Sequence, residues 1–156
     1  MPLDYDQAVD RRPECVVLVG LPAAGKSTLA RRRFPDHEIV SKDAYPPSAR
    51  NKQARQDAQL RAALAAGRSV VVDNTNATPA DRAAIIAIAR ALGASVTGIF
   101  IDVSPRVAIA RNEQRTGRAK VPKVAIFTCA KRLVPPIASE GFDVLETVHV
   151  QPDGSV

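Results

Sequence analysis

The fold of this chain is decided by the stretch Cys15-Val16-Val17-Leu18-Val19-Gly20-Leu21-Pro22-Ala23-Ala24-Gly25-Lys26-Ser27-Thr28. Five apolar residues predict a buried strand, a glycine-bounded loop follows, and a helical pattern begins at Lys26. A strand, a loop of this composition and a helix in that order are typical of a P-loop, whose backbone N–H groups surround phosphates at the positive end of the helix dipole. We therefore expect residues 20–28 to bind the phosphates of a nucleotide.

Three side chains of this loop have separate expected roles. Lys26 places a positive charge beside the β and γ phosphates of ATP, and the hydroxyl of Ser27 is suited to ligate Mg²⁺. Thr28 can hydrogen-bond a phosphate oxygen from the first helical turn. A loop that merely connects a strand to a helix needs neither the lysine nor the two hydroxyls, so we expect ATP and Mg²⁺ as cofactors.

Apolar runs alternate with helical patterns along the rest of the chain. We expect strands at residues 15–19, 37–40, 69–73, 95–102 and 142–148, and helices at 26–33, 50–66, 79–92, 105–114 and 122–133. Nearly continuous apolar strands joined by helices predict a parallel sheet covered on both faces. The expected fold is therefore α/β, with three layers and a five-stranded parallel sheet.

Length and composition limit the possible classes of protein. A chain of 156 residues with 46% hydrophobic content can form one core, so we expect a single domain over residues 1–156. No apolar run approaches the roughly 18 residues of a membrane span, and the N-terminus lacks the basic and apolar regions of a signal peptide. We expect a cytoplasmic protein with no membrane partner.

Charge is concentrated in one segment. The formal net charge is +6, and residues 106–132 contain eight basic residues against the single acid Glu113. A solvated helix face normally mixes both signs, so this asymmetry favours an anion site. Aromatic residues make up only 4% of the chain, which argues against extensive base stacking.

Polar residues follow the predicted strands at the edge where ligands bind in parallel sheets. Asp43 follows the second strand and is a candidate general base, with a helix N-cap as the alternative. Asp73 ends the third strand, where a carboxylate would meet Mg²⁺, although turn formation would also explain it. Arg111 and Arg115 are four residues apart, share a helix face, and are candidates for a lid over the phosphates.

Several motifs occur in the order and spacing of a known family. They are the P-loop, Ser41-Lys42-Asp43, Val72-Asp73-Asn74-Thr75-Asn76, Arg111-Asn112-Glu113-Gln114-Arg115, Lys120-Val121-Pro122 and Ala138-Ser139-Glu140-Gly141-Phe142. Together, over about residues 14–148, they resemble the kinase domain of polynucleotide 5′-kinases. The resemblance implies a P-loop kinase fold with a core at about 14–150 and a helical lid at about 111–124. It also implies transfer of the γ phosphate of ATP to a 5′-hydroxyl end of DNA or RNA.

Residue roles follow from the same resemblance. The family's phosphate lysine and magnesium serine correspond to Lys26 and Ser27, and its catalytic aspartate corresponds to Asp43. Its acidic residue near the metal corresponds to Asp73. The two lid arginines correspond to Arg111 and Arg115, the second being expected on the reacting phosphates. The phosphatase or ligase domain fused to some relatives is not expected in this chain.

One position departs from the family. Several members place an arginine three residues after the catalytic aspartate, where it holds a phosphate of the acceptor strand, but this chain has Pro46. Lys42, Arg50 or Arg55 would supply a charge from nearby. The acceptor-binding candidates are Lys42, Arg50 and Asn76.

Two other functions fit the same residues. A kinase of this fold acting on a small hydroxylated molecule, such as a sugar, a nucleotide or an antibiotic, would use the same P-loop, Asp43 and lid arginines. A nucleotide-dependent nucleic-acid-binding protein would need neither Asp43 nor Arg115. Polynucleotide binding should weaken as salt rises, because cations bound to the nucleic acid are released on binding.

Overall fold

The computed structural model describes residues 12–151 and residue 153. Five strands form one sheet in the order β2-β3-β1-β4-β5, and every neighbouring pair is parallel. The strands are β1 (Glu14–Val19), β2 (Glu38–Val40), β3 (Val70–Val72), β4 (Ser95–Asp102) and β5 (Val144–His149). The predicted parallel five-stranded sheet is confirmed. The N-terminus that we assessed for a signal peptide lies mostly outside the described residues.

Five helices connect and cover the strands. They are α1 (Lys26–Arg33), α2 (Lys52–Ala65), α3 (Pro79–Ala91), α4 (Pro105–Glu113) and α5 (Lys123–Arg132). In the described part of the chain, none of them is both long and apolar enough to cross a membrane. Among the described residues, three single 3₁₀ turns lie between the larger elements, at Lys42–Ala44, Gly117–Ala119 and Ala138–Glu140.

The observed bounds differ from the predicted ones by one or two residues, with local causes. The helix predicted from residue 50 begins at Lys52, because Asn51 before it has a left-handed φ of 55°. The strand predicted from Phe142 begins at Val144, because the ring of Phe142 is buried in the core and the Asp143 carboxylate accepts from the Val96 N–H at 2.8 Å. Helix α3 begins as the sequence predicts, with Thr78 as its N-cap and Pro79 in the first turn.

A hydrophobic layer covers each face of the sheet. The side chains of residues 15–19 in β1 are fully buried and alternate between the two layers, as expected for a central parallel strand. One layer contains Leu60 of α2 and Ile85 of α3. The other contains Ala108 of α4 and Ile126 of α5.

The strand register brings the ends of three strands to one edge of the sheet. Val17 of β1 pairs with Val72 of β3, which pairs with Val40 of β2. The polar residues that follow β2 and β3 therefore lie beside the loop that follows β1. This edge carries the candidate site.

A buried ion pair between Arg82 and Glu140 stabilises the segment that follows β3 at that edge. The side chain of Arg82 in α3 is fully buried, and its Nε and Nη2 donate to the two carboxylate oxygens of Glu140 at 2.7 and 3.1 Å. Its Nη1 donates to the carbonyl of Asn76 at 2.9 Å. Burial by itself raises the pKa of Glu140, but the hydrogen bonds from Arg82 and from the Ile137 N–H outweigh it and hold the pKa below its usual 4.5.

Replacing Arg82 by methionine should lower the free energy of unfolding by about 3 kcal/mol, because the Glu140 carboxylate loses its cation in a largely buried position. Urea denaturation at neutral pH measures this loss. The matched control is Arg90→Met, which removes a half-exposed pair with Asp143 and should cost about 1 kcal/mol or less.

The stability contributed by the ion pair between Arg82 and Glu140 should depend on pH. Because the folded-state pKa of Glu140 is lowered, its stabilisation is present above pH 4.5 and is lost as the pH falls through the folded-state value. The difference between wild type and Arg82→Met should therefore shrink in acid. A difference that is constant with pH would contradict this account of the pair.

Candidate active site

The P-loop turns tightly between β1 and α1. Its backbone enters the left-handed region at Ala23 (φ 63°) and at Gly25 (φ 102°), a geometry that turns successive N–H groups towards one point. The loop is tied to the segment that follows β3, because the N–H of Gly20 donates to the carbonyl of Thr75 at 3.1 Å. The predicted phosphate-binding residues thus form one concave surface.

Lys26 is held inside this loop. Its ammonium donates to the carbonyls of Gly20 and Leu21 at 3.1 and 2.7 Å, and only 8% of the residue is exposed. Burial lowers the pKa of Lys26 to about 8, although the nearby Asp73 carboxylate opposes this change. The positive charge that would meet a phosphate is therefore strongly desolvated.

Ser27 and Asp73 meet in space although they are far apart in the chain. The Ser27 hydroxyl donates to Oδ2 of Asp73 at 2.7 Å, and the Asp73 N–H donates to the carbonyl of Val40 at 2.8 Å. A hydroxyl and one carboxylate are oxygen ligands of the kind that Mg²⁺ takes together with water and substrate phosphates. The described residues contain no group of three or more His, Cys, Asp or Glu side chains that could hold a metal ion by themselves. The pair thus fits a magnesium ion shared with a nucleotide.

Asp43 lies in the 3₁₀ turn that follows β2. The N-cap of this turn is Ser41, whose hydroxyl accepts from the Asp43 N–H at 3.2 Å, so the alternative N-cap role of Asp43 is excluded. The turn is fixed from the side by Asn74, whose Oδ1 accepts from the Lys42 N–H at 3.0 Å. The Asp43 carboxylate is exposed and makes no hydrogen bond or ion pair with another described residue. It remains available to a ligand.

Two cavities open at this edge. The P-loop cavity has a volume of about 580 Å³ and is lined by Gly25, Thr28, Arg111, Arg115 and the end of β5 at Val148, among others. The Asp43 cavity has a volume of about 340 Å³. Besides Asp43 it is lined by Lys42, Gln56, Asn74, Asn76 and Arg132, among others. A donor and an acceptor can thus occupy separate spaces near the same loop.

Sequence reasoning missed an ion pair at the P-loop cavity. Arg33 of α1 donates through both Nη atoms to the two carboxylate oxygens of Glu146 in β5, at 2.9 and 2.8 Å. The hydrogen bond from Arg33 lowers the pKa of Glu146. Helix α1 and strand β5 are distant in sequence, and no local pattern indicates their contact.

Residues 111–124, which the sequence predicts as a lid, contact the P-loop. Arg111 donates from Nη1 to the carbonyl of Ala24 at 2.8 Å, so it contacts the loop itself. Arg115 lines the same cavity and donates from Nη1 to the carbonyl of Ala119 at 3.2 Å. The buried side-chain amide of Asn112 makes two hydrogen bonds with the main chain of Val121, at 2.7 and 3.0 Å. These bonds fix the segment that leads into α5.

Arg118, in the same segment, contacts the turn that carries Asp43. Its Nη2 donates to the carbonyls of Asp43 and Tyr45, both at 3.2 Å. The lid therefore contacts the P-loop through Arg111 and the Asp43 turn through Arg118. The sequence indicated only a dense basic segment here and did not predict this contact.

The predicted acceptor-binding residues do not all lie at the same place in the structure. Lys42 and Asn76 line the Asp43 cavity, whereas Arg50 lines neither cavity. The amide of Asn76 is buried and donates to the carbonyls of Leu18 and Val72 at 2.7 and 3.4 Å, so it holds strand ends together. Arg132 lines the cavity and was not among the candidates, although it belongs to the predicted basic segment.

Comparison with known proteins agrees with this geometry. A family model described as an AAA domain matches residues 15–136. The bifunctional polynucleotide phosphatase/kinase of Schizosaccharomyces pombe is 32% identical over 140 residues, which cover 86% of this chain and 33% of that protein. The chain thus spans about a third of the length of this curated relative.

Solved structures share the fold. A gluconokinase from Sinorhizobium meliloti 1021 matches with a TM-score of 0.64 and 22% identity, over 92% of this chain and 86% of that one. A fungal RNA kinase matches with a TM-score of 0.66 and 18% identity, over 89% and 38% of the two chains. Both likenesses show the α/β P-loop kinase fold that the sequence predicted.

The lowered pKa of Lys26 predicts that ATP binding takes up protons. Phosphate oxygens beside the ammonium stabilise its charged form, so the pKa of Lys26 should rise from about 8 in the free protein. One pH unit above that value, uptake should approach about one proton per ATP, and one unit below it uptake should be small. Titration calorimetry in buffers of different ionisation enthalpy measures the number.

Two variants test the assignment of this proton. Lys26→Met should abolish the uptake along with most of the affinity, whereas Lys42→Met should leave the uptake unchanged. Binding of ATP by the wild type without proton uptake at the higher pH would contradict the assignment.

Proposed function

Because the chain belongs to the AAA domain family and has a P-loop kinase fold, we propose that it is an ATP-dependent kinase acting on the 5′-hydroxyl end of a DNA or RNA strand. One observation carries this proposal: the unpaired carboxylate of Asp43 lines a cavity beside a complete P-loop. The similarity to the Schizosaccharomyces pombe polynucleotide phosphatase/kinase supports this class of acceptor.

The donor nucleotide would lie in the P-loop cavity. Backbone N–H groups of the loop and the ammonium of Lys26 would hold the β and γ phosphates, in place of the loop carbonyls that Lys26 now contacts. Ser27 and Asp73 would hold Mg²⁺. When bound there, Mg²⁺ would neutralise part of the negative charge on the two phosphates.

The acceptor would lie in the Asp43 cavity. Asp43 would accept the proton of the 5′-hydroxyl while the oxygen forms a bond to the γ phosphorus, and the bond from that phosphorus to the bridging oxygen of ADP breaks. Positioning the two reactants in line supplies much of the rate in such reactions. The fixed 3₁₀ turn at Lys42–Ala44 provides this positioning for Asp43.

Arg115 would act on the phosphates from the lid. It lines the P-loop cavity next to Arg111, and its positive charge is close enough to Lys26 to oppose the protonation of that ammonium. A guanidinium that bridges the β and γ phosphates stabilises the charge that develops as the bridging bond breaks. Arg111 would help to hold the nucleotide, since it is already bound to the loop at Ala24.

Asp43→Asn should lower the turnover number roughly 10²- to 10⁴-fold, because the amide cannot accept the proton. The measurement is transfer of labelled γ phosphate from ATP to a short 5′-hydroxyl oligonucleotide, offered as DNA and as RNA. The matched control is Asp36→Asn, an exposed aspartate in the turn before β2, which should keep full activity. Asp43→Asn should bind ATP as the wild type does.

The same assay separates the alternatives. Full transfer by Asp43→Asn would show that Asp43 is not the base. Transfer to a sugar but not to an oligonucleotide, with little dependence on salt, would favour the small-molecule kinase. Oligonucleotide binding without transfer by the wild type would favour the nucleotide-dependent binding protein.

Arg115→Ala should lower the turnover number about 10³-fold, as for arginine residues that stabilise the transition state in related reactions. Arg111→Ala should instead raise the KM for ATP. The control is Arg106→Ala at the exposed start of α4, which lines neither cavity and should change neither constant. A small effect of Arg115→Ala on turnover would transfer this role to Arg111 or Arg118.

A further inference from the structure

The Asp43 cavity is lined by a basic side chain, Arg132, to which the proposed mechanism assigns no role. Lys42 and Arg132 both line it, and they are its two basic lining residues in the described chain. Lys42 directly precedes Asp43 in the same turn. Arg132 comes from a different element, the last turn of α5.

The position of Arg132 is set by the way α5 ends. Ile126 and Cys129 bury one face of the helix in the core. Directly after the helix, the N–H of Val134 donates to the carbonyl of Ala77 at 2.8 Å, in the segment that connects β3 to α3. The last turn of α5 is therefore fixed beside the residues that line the Asp43 cavity.

Resting on the function proposed above, we infer that Arg132 binds the first phosphodiester of the acceptor strand, the phosphate on the 3′ side of the reacting nucleotide. The guanidinium makes no hydrogen bond or ion pair with another described residue, so its donors are available to a ligand. Two parallel N–H groups match two phosphate oxygens, which makes arginine a good phosphate ligand.

The geometry of a nucleotide favours Arg132 over Lys42. The 5′-hydroxyl and the 3′-phosphate leave the sugar from different carbons and point apart. With the 5′-hydroxyl on Asp43, the phosphate should meet a cation from another element rather than from the adjacent residue. Arg132 is also favoured over Arg50, because Arg50 lines neither cavity.

The charges around Arg132 are consistent with a polyanion. The acid Asp81 also lines the cavity, but its carboxylate accepts from the N–H of Thr78 in the cap of α3. Helix α5 carries Lys123 and Lys131 besides Arg132, and no acidic residue. All charged residues of α5 are therefore basic, which suits a strand that continues from the cavity along this helix.

The test compares two acceptors that differ by this one phosphate: a nucleoside 3′-monophosphate and the same nucleoside without it. The measured quantity is kcat/KM for each, with ATP saturating. The wild type should prefer the phosphorylated acceptor by roughly 10- to 100-fold, the range expected for hydrogen bonds to a charged group. Arg132→Ala should lose this preference and phosphorylate the plain nucleoside as the wild type does.

Two further variants test whether the loss of preference is specific to the guanidinium of Arg132. Arg132→Lys should recover part of the preference, because it restores the charge without the fork of donors. Arg61→Ala, an exposed arginine of α2 that lines neither cavity, should keep the full preference. The affinity for ATP should be the same in all four proteins, which shows that they are folded.

The outcomes are distinguishable from a failure of the proposed function. A wild type that prefers the phosphorylated acceptor, with the preference kept in Arg132→Ala, overturns the role of Arg132 and leaves the kinase proposal standing. Equal use of both acceptors by the wild type also overturns it. A wild type that binds ATP but phosphorylates neither these acceptors nor a 5′-hydroxyl oligonucleotide overturns both proposals.

Discussion

The side chain of Asn76 holds the two strand ends on which the site is built. Its amide donates to the carbonyls of Leu18 in β1 and Val72 in β3, where the pairing between these two strands ends. Asn76 has a left-handed φ of 45°, and its own carbonyl accepts from the buried Arg82. The P-loop begins two residues after Leu18, and Asp73 follows Val72. The distance between Ser27 and Asp73 therefore depends on a chain of contacts that continues to Glu140.

Local patterns were enough to predict the fold but not these contacts. The alternation of apolar runs and helices predicted the five strands and five helices within one or two residues, because each element is determined largely by its own residues. The P-loop was predicted for the same reason. The sequence predicted Asn76 as a residue that binds the acceptor, yet its side-chain amide donates to main-chain carbonyls of β1 and β3. The ion pair between Arg82 and Glu140 joins residues 58 positions apart, and no pattern in a sequence window indicates it.

The basic segment that the sequence predicted as one anion site is divided in the structure. Arg111 and Arg115 lie at the P-loop cavity, while Arg132 lies at the Asp43 cavity. One continuous stretch, α4 to α5, thus supplies positive charge to two neighbouring spaces. The negative charges at the same edge, Asp43 and Asp73, lie at the ends of different strands. In the proposed function, this separation lets Asp43 accept a proton while Asp73 holds the metal ion.

Arg118 connects the segment between α4 and α5 to the Asp43 turn through the main chain of that turn. It donates to the main-chain carbonyls of Asp43 and Tyr45, and every amino acid offers such a carbonyl. Substitutions in the turn would therefore preserve the contact as long as the backbone kept its path. In the proposed function, the side chains that face the acceptor can therefore change without loss of this contact. Such changes would alter the choice of acceptor while the residues around the P-loop stay the same.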